Sequence, residues 1–332
     1  MWVIVCLSAY KVNCLALAGQ LRARPCLPTL LPGGAEGGML RAIRGHSENA
    51  VIVEGAWRRV GIVHILGIDI GGTGIKGASV DTTTGESLGE RWRILTPAPA
   101  TPEAVSAAVA QVAAHFCWQG PIGCGFPAVI RRGQVCTAVH VDKGWIGCNA
   151  QTLFGDVTGC PVTVLNDADA AGYAEMRFGA GQGQHGVVLL VTLGTGIGSA
   201  LFVDGYLVPN TELGHIEIRG KDAERRAAAS VREHKGWSWK KWARRLDEYL
   251  HYLDAYLSPD LIIVGGGISE KHDKFLPLLT VETKVVAAHL GNEAGIVGAA
   301  LAALYQQPGA AEPTAETAQD MPQDTSQDDT SR

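Results

Sequence analysis

Two glycine-rich loops of this chain combine residue types that bind phosphate. The first loop, Gly71-Gly72-Thr73-Gly74, lies between Asp69 and Lys76. Glycine lets backbone amides approach an anion closely, so Gly71, Gly72 and Thr73 are predicted to contact phosphate oxygens. Asp69 can hold a magnesium ion through water, and the Lys76 ammonium can neutralise a phosphate oxygen. The chemistry expected here is the handling of a phosphorylated ligand together with Mg²⁺.

The second loop repeats the first. Gly72-Thr73-Gly74-Ile75 recurs as Gly194-Thr195-Gly196-Ile197, each time after an apolar strand and before another. Thr192, Gly194, Thr195 and Gly196 are therefore predicted to bind phosphate from the other side of a cleft. The repeat also indicates that the chain contains two related halves.

The first loop also satisfies the GxGxxG pattern of dinucleotide-binding proteins, over residues 72–77. That pattern needs a helix that opens at the second glycine and directs its amides at a pyrophosphate. Residues 77–81 instead indicate the return strand of a hairpin, and the GxxxxGK[ST] spacing of a P-loop is missing. Both of these nucleotide-binding motifs are therefore rejected.

Asp167 is the residue best placed for acid–base chemistry. It follows an apolar strand over 162–165 and precedes a helix predicted over 169–178, so it lies at the carboxyl end of a strand, where sites of α/β proteins gather. A carboxylate there can accept the proton of a hydroxyl that attacks phosphorus. The alternative is a helix N-cap, a role that Asn166 or Asp169 can fill.

Glu212 and His215 lie in a short polar turn over residues 210–215. Acceptors and donors at this spacing suit the neighbouring hydroxyls of a sugar. A lone histidine in a turn is, however, more often structural. A further group, Gly265, Gly266 and Gly267, closes a strand over 261–264 and is a candidate pocket for the adenosine of a nucleotide.

Strands and helices alternate around these residues, which predicts a mixed α/β sheet architecture. The predicted strands cover residues 64–70, 77–81, 162–165, 187–192 and 261–264, and the predicted helices cover 102–116, 169–178 and 238–257.

The motifs resemble, in order and spacing over residues 64–305, the ROK sugar kinases. The matching segments are 66–73 with Lys76, 166–169, 193–198 and 212–215. The resemblance implies an α/β chain with the two-lobed actin-like or hexokinase-like ATPase fold, a duplicated ribonuclease H-like architecture. It also implies a nucleotide or phosphate donor in the cleft and a hexose as acceptor.

The same resemblance assigns roles to residues. It implies that Asp167 is the catalytic base, and it implies a set of sugar-binding residues, namely Asn166, Glu212, His215 and Pro127. A further glutamate normally completes that set, and the candidates are Glu224 and Glu217, of which Glu224 is preferred. His140 stands where relatives usually have Asn, so selectivity for the sugar can differ.

The chain departs from most of the family in lacking a zinc loop. No cysteine follows Cys160, so His215 has no thiolate partners and no structural zinc or other protein-bound metal is predicted. Segments 214–218, 238–245, 275–279 and 292–298 resemble instead the members that use inorganic polyphosphate, with or without ATP, to phosphorylate glucose. An ATP-dependent hexokinase for glucose, mannose or an N-acetylhexosamine is the alternative.

Charge along the chain agrees with a polyanionic donor. Residues 221–245 contain nine Lys or Arg against three Asp or Glu. Such a run can attract a long polyanion, although it is also typical of a solvated helix face. The net charge of the whole chain is -5, which excludes a whole-protein attraction to nucleic acid. A repressor of the same family would need an N-terminal helix-turn-helix, which residues 1–62 do not suggest.

The ends of the chain differ in composition from its middle. Residues 1–62 are predicted to be a disordered extension or to precede the true start, with Val63 as a candidate start. Residues 306–332 are rich in Pro, Ala, Thr, Gln and Asp and are predicted to be disordered. Between them we expect a small lobe over 63–166, a large lobe over 167–290, and a helix over 291–305 that returns to the small lobe.

The expected setting is the reducing cytoplasm, since the cysteines form no CxxC pair and no apolar run is long enough for a membrane span. The resemblance implies a homodimer. The expected ligands are glucose, polyphosphate or ATP, and Mg²⁺.

Overall fold

The structure is a computed structural model that describes residues 64–139 and 141–307. The predictions for residues 1–62 and for His140 lie outside the described residues, as does the predicted tail from residue 308 onward. Within the described ranges, no helix is both long and apolar enough to cross a membrane.

Two five-stranded sheets follow the same plan. Their strand orders are β3-β2-β1-β4-β7 and β10-β9-β8-β13-β14. In each sheet the first and second strands, and the second and third, pair antiparallel, whereas the third and fourth, and the fourth and fifth, pair in parallel. This shared topology confirms the two related halves that the repeated Gly-Thr-Gly-Ile segment indicates.

The strands are β1 (His64–Ile70), β2 (Ile75–Asp81), β3 (Ser87–Ile94), β4 (Ile122–Phe126), β5 (Ile130–Arg131), β6 (Gln134–Val135), β7 (Val162–Asn166), β8 (Val187–Leu193), β9 (Ile197–Val203), β10 (Tyr206–Val208), β11 (Glu217–Ile218), β12 (Lys221–Asp222), β13 (Leu261–Gly265) and β14 (Val285–Ala287). The helices are α1 (Pro102–His115), α2 (Ala150–Thr158), α3 (Asp167–Phe178), α4 (Glu224–Ala227), α5 (Ala229–His234), α6 (Trp239–Leu257) and α7 (Ala294–Tyr305).

The glycine-rich loops are hairpin turns between antiparallel strands. The Gly71 amide donates to the Gly74 carbonyl at 3.0 Å, and the Gly194 amide donates to the Gly196 carbonyl at 3.0 Å. Each turn joins an inner, almost completely buried strand to the next strand outward. The chain returns as a strand and not as a helix, which confirms the rejection of a Rossmann motif.

Helices α3 and α7 pack between the two sheets, in a core that takes side chains from both of them. Glycines let α7 approach closely. A Cβ atom on Gly67 of β1 would lie 2.0 Å from the Ile296 carbonyl oxygen, and one on Gly298 would lie 1.6 Å from the Ala170 carbonyl oxygen. Helices α1 and α2 cover the outer face of the first sheet, and α6 covers that of the second.

The helix starts explain one error of the sequence analysis. Helix α3 begins at Asp167, two residues before the predicted start, because the Asn166 side chain accepts from the amides of Ala168 and Asp169 and acts as the N-cap. Helix α6 was predicted over 238–257, and in the structure Ser238 is its N-cap. Asp167 therefore lies in the first turn of a helix, directly after a parallel strand.

Candidate active site

A cavity of about 180 Å³ lies between the two halves, and it brings several predicted site residues together. Its lining includes Asp69, Lys76, Asp167, Thr192, Gly265 and Gly266. These residues come from β1, β2, α3, β8 and the end of β13. Residues predicted to bind phosphate, to accept a proton and to bind a nucleotide thus line the same cavity.

Asp69 and Lys76 are cross-strand neighbours in the β1–β2 hairpin. The Lys76 Nζ atom lies 3.1 Å from Asp69 Oδ2, and both side chains are about one-fifth exposed. This register keeps a cation and a carboxylate together at the mouth of the turn. Gly71, Gly72 and Thr73 form the turn itself and do not line the cavity.

Arg93 is a cation beside this turn that the sequence analysis missed. Its guanidinium donates to the Thr73 carbonyl at 3.1 Å, and a Cβ atom on Gly74 would lie 2.4 Å from Arg93 Nε. The signal available in the sequence was the alternation in Arg91-Trp92-Arg93, which places both arginines on one face of β3.

The second glycine-rich loop is shared between two cavities. Thr192 faces the first cavity, whereas Gly194, Thr195 and Gly267 line a second cavity of about 210 Å³. Gly196 lines neither of these two. The loop is held from one side by α5, since the Ser230 hydroxyl donates to the Thr195 carbonyl at 2.6 Å.

Asp167 has the electrostatic properties of a general base. Burial above all, and then the negative charge of Asp69, raise its pKa to about 7, and Glu212 adds to this effect. The Ala168 amide donates to Asp167 Oδ1 at 2.8 Å, and this hydrogen bond lowers the pKa of Asp167. A carboxylate with a pKa near neutrality holds a proton strongly enough to accept one from a hydroxyl during catalysis.

Asn166, one of the predicted sugar-binding residues, has a structural role in the fold. Its side-chain amide donates to the Ala128 carbonyl at 3.2 Å, while its oxygen caps α3. The register of β4 and β7 pairs Phe126 with Asn166. Pro127 and Asp167 therefore follow at the carboxyl ends of neighbouring parallel strands.

Asp169 is a second acidic residue that the sequence analysis considered only as a cap. Its Oδ2 atom accepts from the Asn210 amide at 2.8 Å, and the Asn210 side chain bonds both the amide and the carbonyl of Ile130. Burial, followed by the charges of Asp167 and Glu212, raises the pKa of Asp169 to about 7. Asp169 thus joins α3 to the turn that carries Glu212 and to the loop after β4.

The turn with Glu212 and His215 is fixed on β9. The Ser199 hydroxyl donates to the Thr211 carbonyl at 2.7 Å, and a Cβ atom on Gly214 would lie 2.2 Å from the Ile197 carbonyl oxygen. The Glu212 charge acts on both Asp167 and Asp169, so this turn lies close to both carboxylates.

His215 lies between two carboxylates. Its Nε2 atom is 3.6 Å from Glu212 Oε2, and its Nδ1 atom is 3.5 Å from Asp222 Oδ2. Ligand atoms of His215, Asp222 and Glu224 all lie within 4.8 Å of one another, a grouping that could hold a metal ion. The absence of a structural zinc therefore stays a prediction. Glu224 belongs to this grouping, whereas Glu217 is exposed and lies outside it, and the choice of Glu224 as the additional sugar ligand stays a prediction.

Comparisons with known proteins agree with this geometry. A polyphosphate glucokinase of Mycobacterium tuberculosis (strain CDC 1551 / Oshkosh) is 53% identical over 242 residues, which cover 73% of this chain and 91% of that protein. The crystal structure of an inorganic polyphosphate/ATP-glucomannokinase from Arthrobacter sp. strain KM is similar at a TM-score of 0.72 and 51% identity, over 74% of this chain and 99% of that one.

A more distant similarity is to a ROK family glucokinase from Streptomyces griseus, solved with glucose and AMPPNP. Its TM-score is 0.61 at 26% identity, over 72% of this chain and 98% of that one. The model of the ROK family itself matches residues 65–231. The chain belongs to the ROK family.

Proposed function

We propose that this protein is a glucokinase that transfers a phosphoryl group from inorganic polyphosphate to the 6-hydroxyl of glucose, with ATP as a second donor. The observation that carries the proposal is the position of Asp167, between the phosphate-type cavity and the polar turn of Glu212 and His215. The relatives named as polyphosphate glucokinase and polyphosphate/ATP-glucomannokinase support this choice of donor and acceptor.

In the proposed reaction, Asp167 accepts the proton of the glucose hydroxyl as its oxygen attacks the terminal phosphorus. A new bond forms between that oxygen and phosphorus, and the bond from phosphorus to the bridging oxygen of the donor breaks. The products are glucose 6-phosphate and a donor that is shorter by one phosphate. Positioning and charge neutralisation supply most of the acceleration in such transfers.

A divalent cation, which we propose to be Mg²⁺, fits the first cavity. Asp69 and Asp167 place two carboxylates at this cavity, and their mutual repulsion contributes to the raised pKa of Asp167. Carboxylate oxygens are the ligands that Mg²⁺ prefers, and Asp69 is the residue proposed to hold it through water. Bound there, the cation would neutralise charge on the donor phosphates.

We assign the remaining roles by the same proposal. The sugar is bound by Asn166, Glu212, His215, Glu224 and Pro127, and the donor phosphates by the two hairpin turns with Lys76 and Thr192. To Gly265 and Gly266, which line the first cavity, and to Gly267, which lines the second, we assign the binding of a nucleotide, with ATP as the second donor. A cytoplasmic homodimer, with lobes over 63–166 and 167–290 and a returning helix over 291–305, completes the proposal.

An ATP-dependent hexokinase with wider sugar specificity is the second candidate. One relative is named a glucomannokinase, so mannose is the first additional sugar to test. A coupled assay that compares polyphosphate with ATP at fixed glucose separates the two candidates. We expect turnover with polyphosphate at least equal to that with ATP. Turnover with ATP alone would contradict the proposed donor, and preference for mannose or an N-acetylhexosamine would contradict the proposed acceptor.

A further inference from the structure

The second cavity, of about 210 Å³, adjoins the first through a common wall. Thr192 lines the first cavity, and the next residues, Leu193 to Thr195, line the second. In the same way Gly265 and Gly266 line the first and Gly267 lines the second. A chain-like ligand that passes over this wall would reach both spaces.

Cations line the second cavity. Arg232 from α5 and Lys271 from the 3₁₀ segment after β13 both face it. The Nζ atom of Lys274 lies 5.9 Å from the ring centre of Trp239, another lining residue. Glu233 is the one acidic residue of the lining. The cavity therefore favours an anionic ligand.

Arg232 is held in place by stacking, and no carboxylate of residues 64–139 or 141–307 forms an ion pair with it. Its guanidinium stacks on Trp239 at 3.7 Å from the ring centre, and Trp239 in turn stacks on Phe275. The Nε atom of Arg232 is buried and has no hydrogen-bond partner among the described residues. A buried donor without an acceptor is unfavourable, so such a group indicates a missing partner.

Other arginines of the same basic run do find partners. Arg226 lies 2.7 Å from Glu248 and Arg245 lies 3.5 Å from the same carboxylate, and Arg219, which precedes the run, pairs with it as well. The charges of Arg226 and Arg219 lower the pKa of Glu248 against the effect of burial. Arg232 differs from them because the acceptor for its Nε–H is absent from the described part of the chain.

We propose that the second cavity is a subsite for the distal phosphates of a polyphosphate donor, with Arg232 and Lys271 as its binding residues. This inference rests on the proposed function. The transferred phosphate lies in the first cavity, and the following units pass the Gly194–Thr195 turn and reach Arg232. The Nε–H and neighbouring N–H groups of arginine match the oxygens of a phosphate, and stacking on Trp239 orients them beforehand.

Donor length determines whether a donor reaches the second cavity. A donor as short as tripolyphosphate ends in the first cavity and does not contact Arg232, whereas a long chain does. In the unaltered protein the apparent KM should therefore decrease from tripolyphosphate to long polyphosphate. In Arg232→Gln it should rise about tenfold for long chains and change little for tripolyphosphate, since one charged contact is lost. The KM for glucose should not change.

Two further variants make the test decisive. Lys271→Gln changes an exposed residue, so its folding is not in doubt, and it should flatten the dependence on chain length as well. Lys284→Gln is the matched control, because Lys284 is an exposed lysine just before β14, at the opposite end of the strand pair from Gly265. It should leave the length dependence unchanged. Thermal unfolding of each variant checks the fold.

The outcomes separate this inference from the proposed function. Absence of any turnover with polyphosphate by the unaltered protein would overturn the proposed function. Turnover that does not depend on donor length would overturn the subsite alone. An unchanged length dependence in both Arg232→Gln and Lys271→Gln would also overturn it. If Arg232→Gln and Lys271→Gln changed the KM for ATP but not that for polyphosphate, the subsite would be overturned too, and the cavity would be identified as a site for adenosine.

Discussion

Asp167 owes its raised pKa to burial first, and then to the negative charges of its neighbours. It shares its cavity with Asp69 and borders the turn that carries Glu212, so negative charge accumulates where phosphates are proposed to bind. Lys76 offsets part of this charge at Asp69, and the repulsion that remains contributes to raising the pKa of Asp167 to about 7. The same acidic environment supports both the proposed binding of Mg²⁺ and the proposed role of Asp167 as the base.

The first prediction concerns Asp167 as the proposed base. Asp167→Asn should keep the fold and the affinity for glucose but lose turnover on the order of a hundredfold or more, because the amide cannot accept the proton. In the unaltered protein, kcat/KM should decrease as the pH is lowered through about 7, the raised pKa of Asp167. Steady-state kinetics across pH, with glucose binding measured separately, check both. A near-normal rate in the variant would remove Asp167 from the mechanism.

The second prediction concerns Asp169. Asp169→Ala removes the acceptor of the Asn210 amide, which should lower the free energy of unfolding by about 1–3 kcal/mol and raise the KM for glucose. Asp169→Asn keeps an acceptor and should retain more glucose affinity. Because the pKa of Asp169 is raised in the folded state to about 7, its contribution to stability should fall as the pH rises toward neutrality. Equal glucose KM in all three proteins would contradict the positioning role.

At the scale of elements, local patterns predicted most of the strands and helices around the site. Apolar runs ending in Gly or Asp located β1, β8 and β13, and the glycine-rich segments were identified as hairpin turns. Contacts between distant residues were not predictable in this way. The hydrogen bond between Asp169 and Asn210 joins residues 41 positions apart in the sequence, and the one between Asn210 and Ile130 joins residues 80 apart. No local sequence pattern predicts such pairs. The division of the second loop between two cavities depends likewise on the packing of α5 against it.

The packing of α7 gives an element-scale prediction. Gly298→Ala should destabilise the protein by about 1–3 kcal/mol, because the added Cβ meets the Ala170 carbonyl and pushes α7 away from α3. Gly155→Ala is the matched control in helix α2, where the nearest atom is 3.6 Å away. It should be neutral or stabilising by up to about 1 kcal/mol, since alanine is the better helix former. Denaturant unfolding measures both, and equal effects would contradict the close approach of α7.

At the scale of the whole molecule, charge is separated by region. The chain carries a net charge of -5, so a polyanion is repelled on average and must be attracted by a local surface. The structure leaves Lys240, Lys241 and Arg244 exposed on α6, whose first residue, Trp239, lines the second cavity. We expect these exposed cations to attract the donor toward Arg232. Each of them should contribute less to the affinity for the donor than Arg232 does.

Salt dependence tests this distribution of charge. Polyphosphate is a row of charges, so its binding should weaken steeply with salt, by an amount that scales with the number of cations it contacts. ATP carries fewer charges and should respond less. Neutralising Lys240, Lys241 and Arg244 together should reduce the salt dependence for long polyphosphate and raise its apparent KM, while glucose affinity stays the same. Exposed substitutions of this kind change stability by about 0.5 kcal/mol or less, so unfolding should be nearly unaffected.

The measurement is the apparent KM for each donor across a salt series. Equal losses with both donors would show that these residues act on a shared property of the fold. No loss with either would show that the α6 surface is a solvated helix face, and the attraction would then depend on the cavity cations alone.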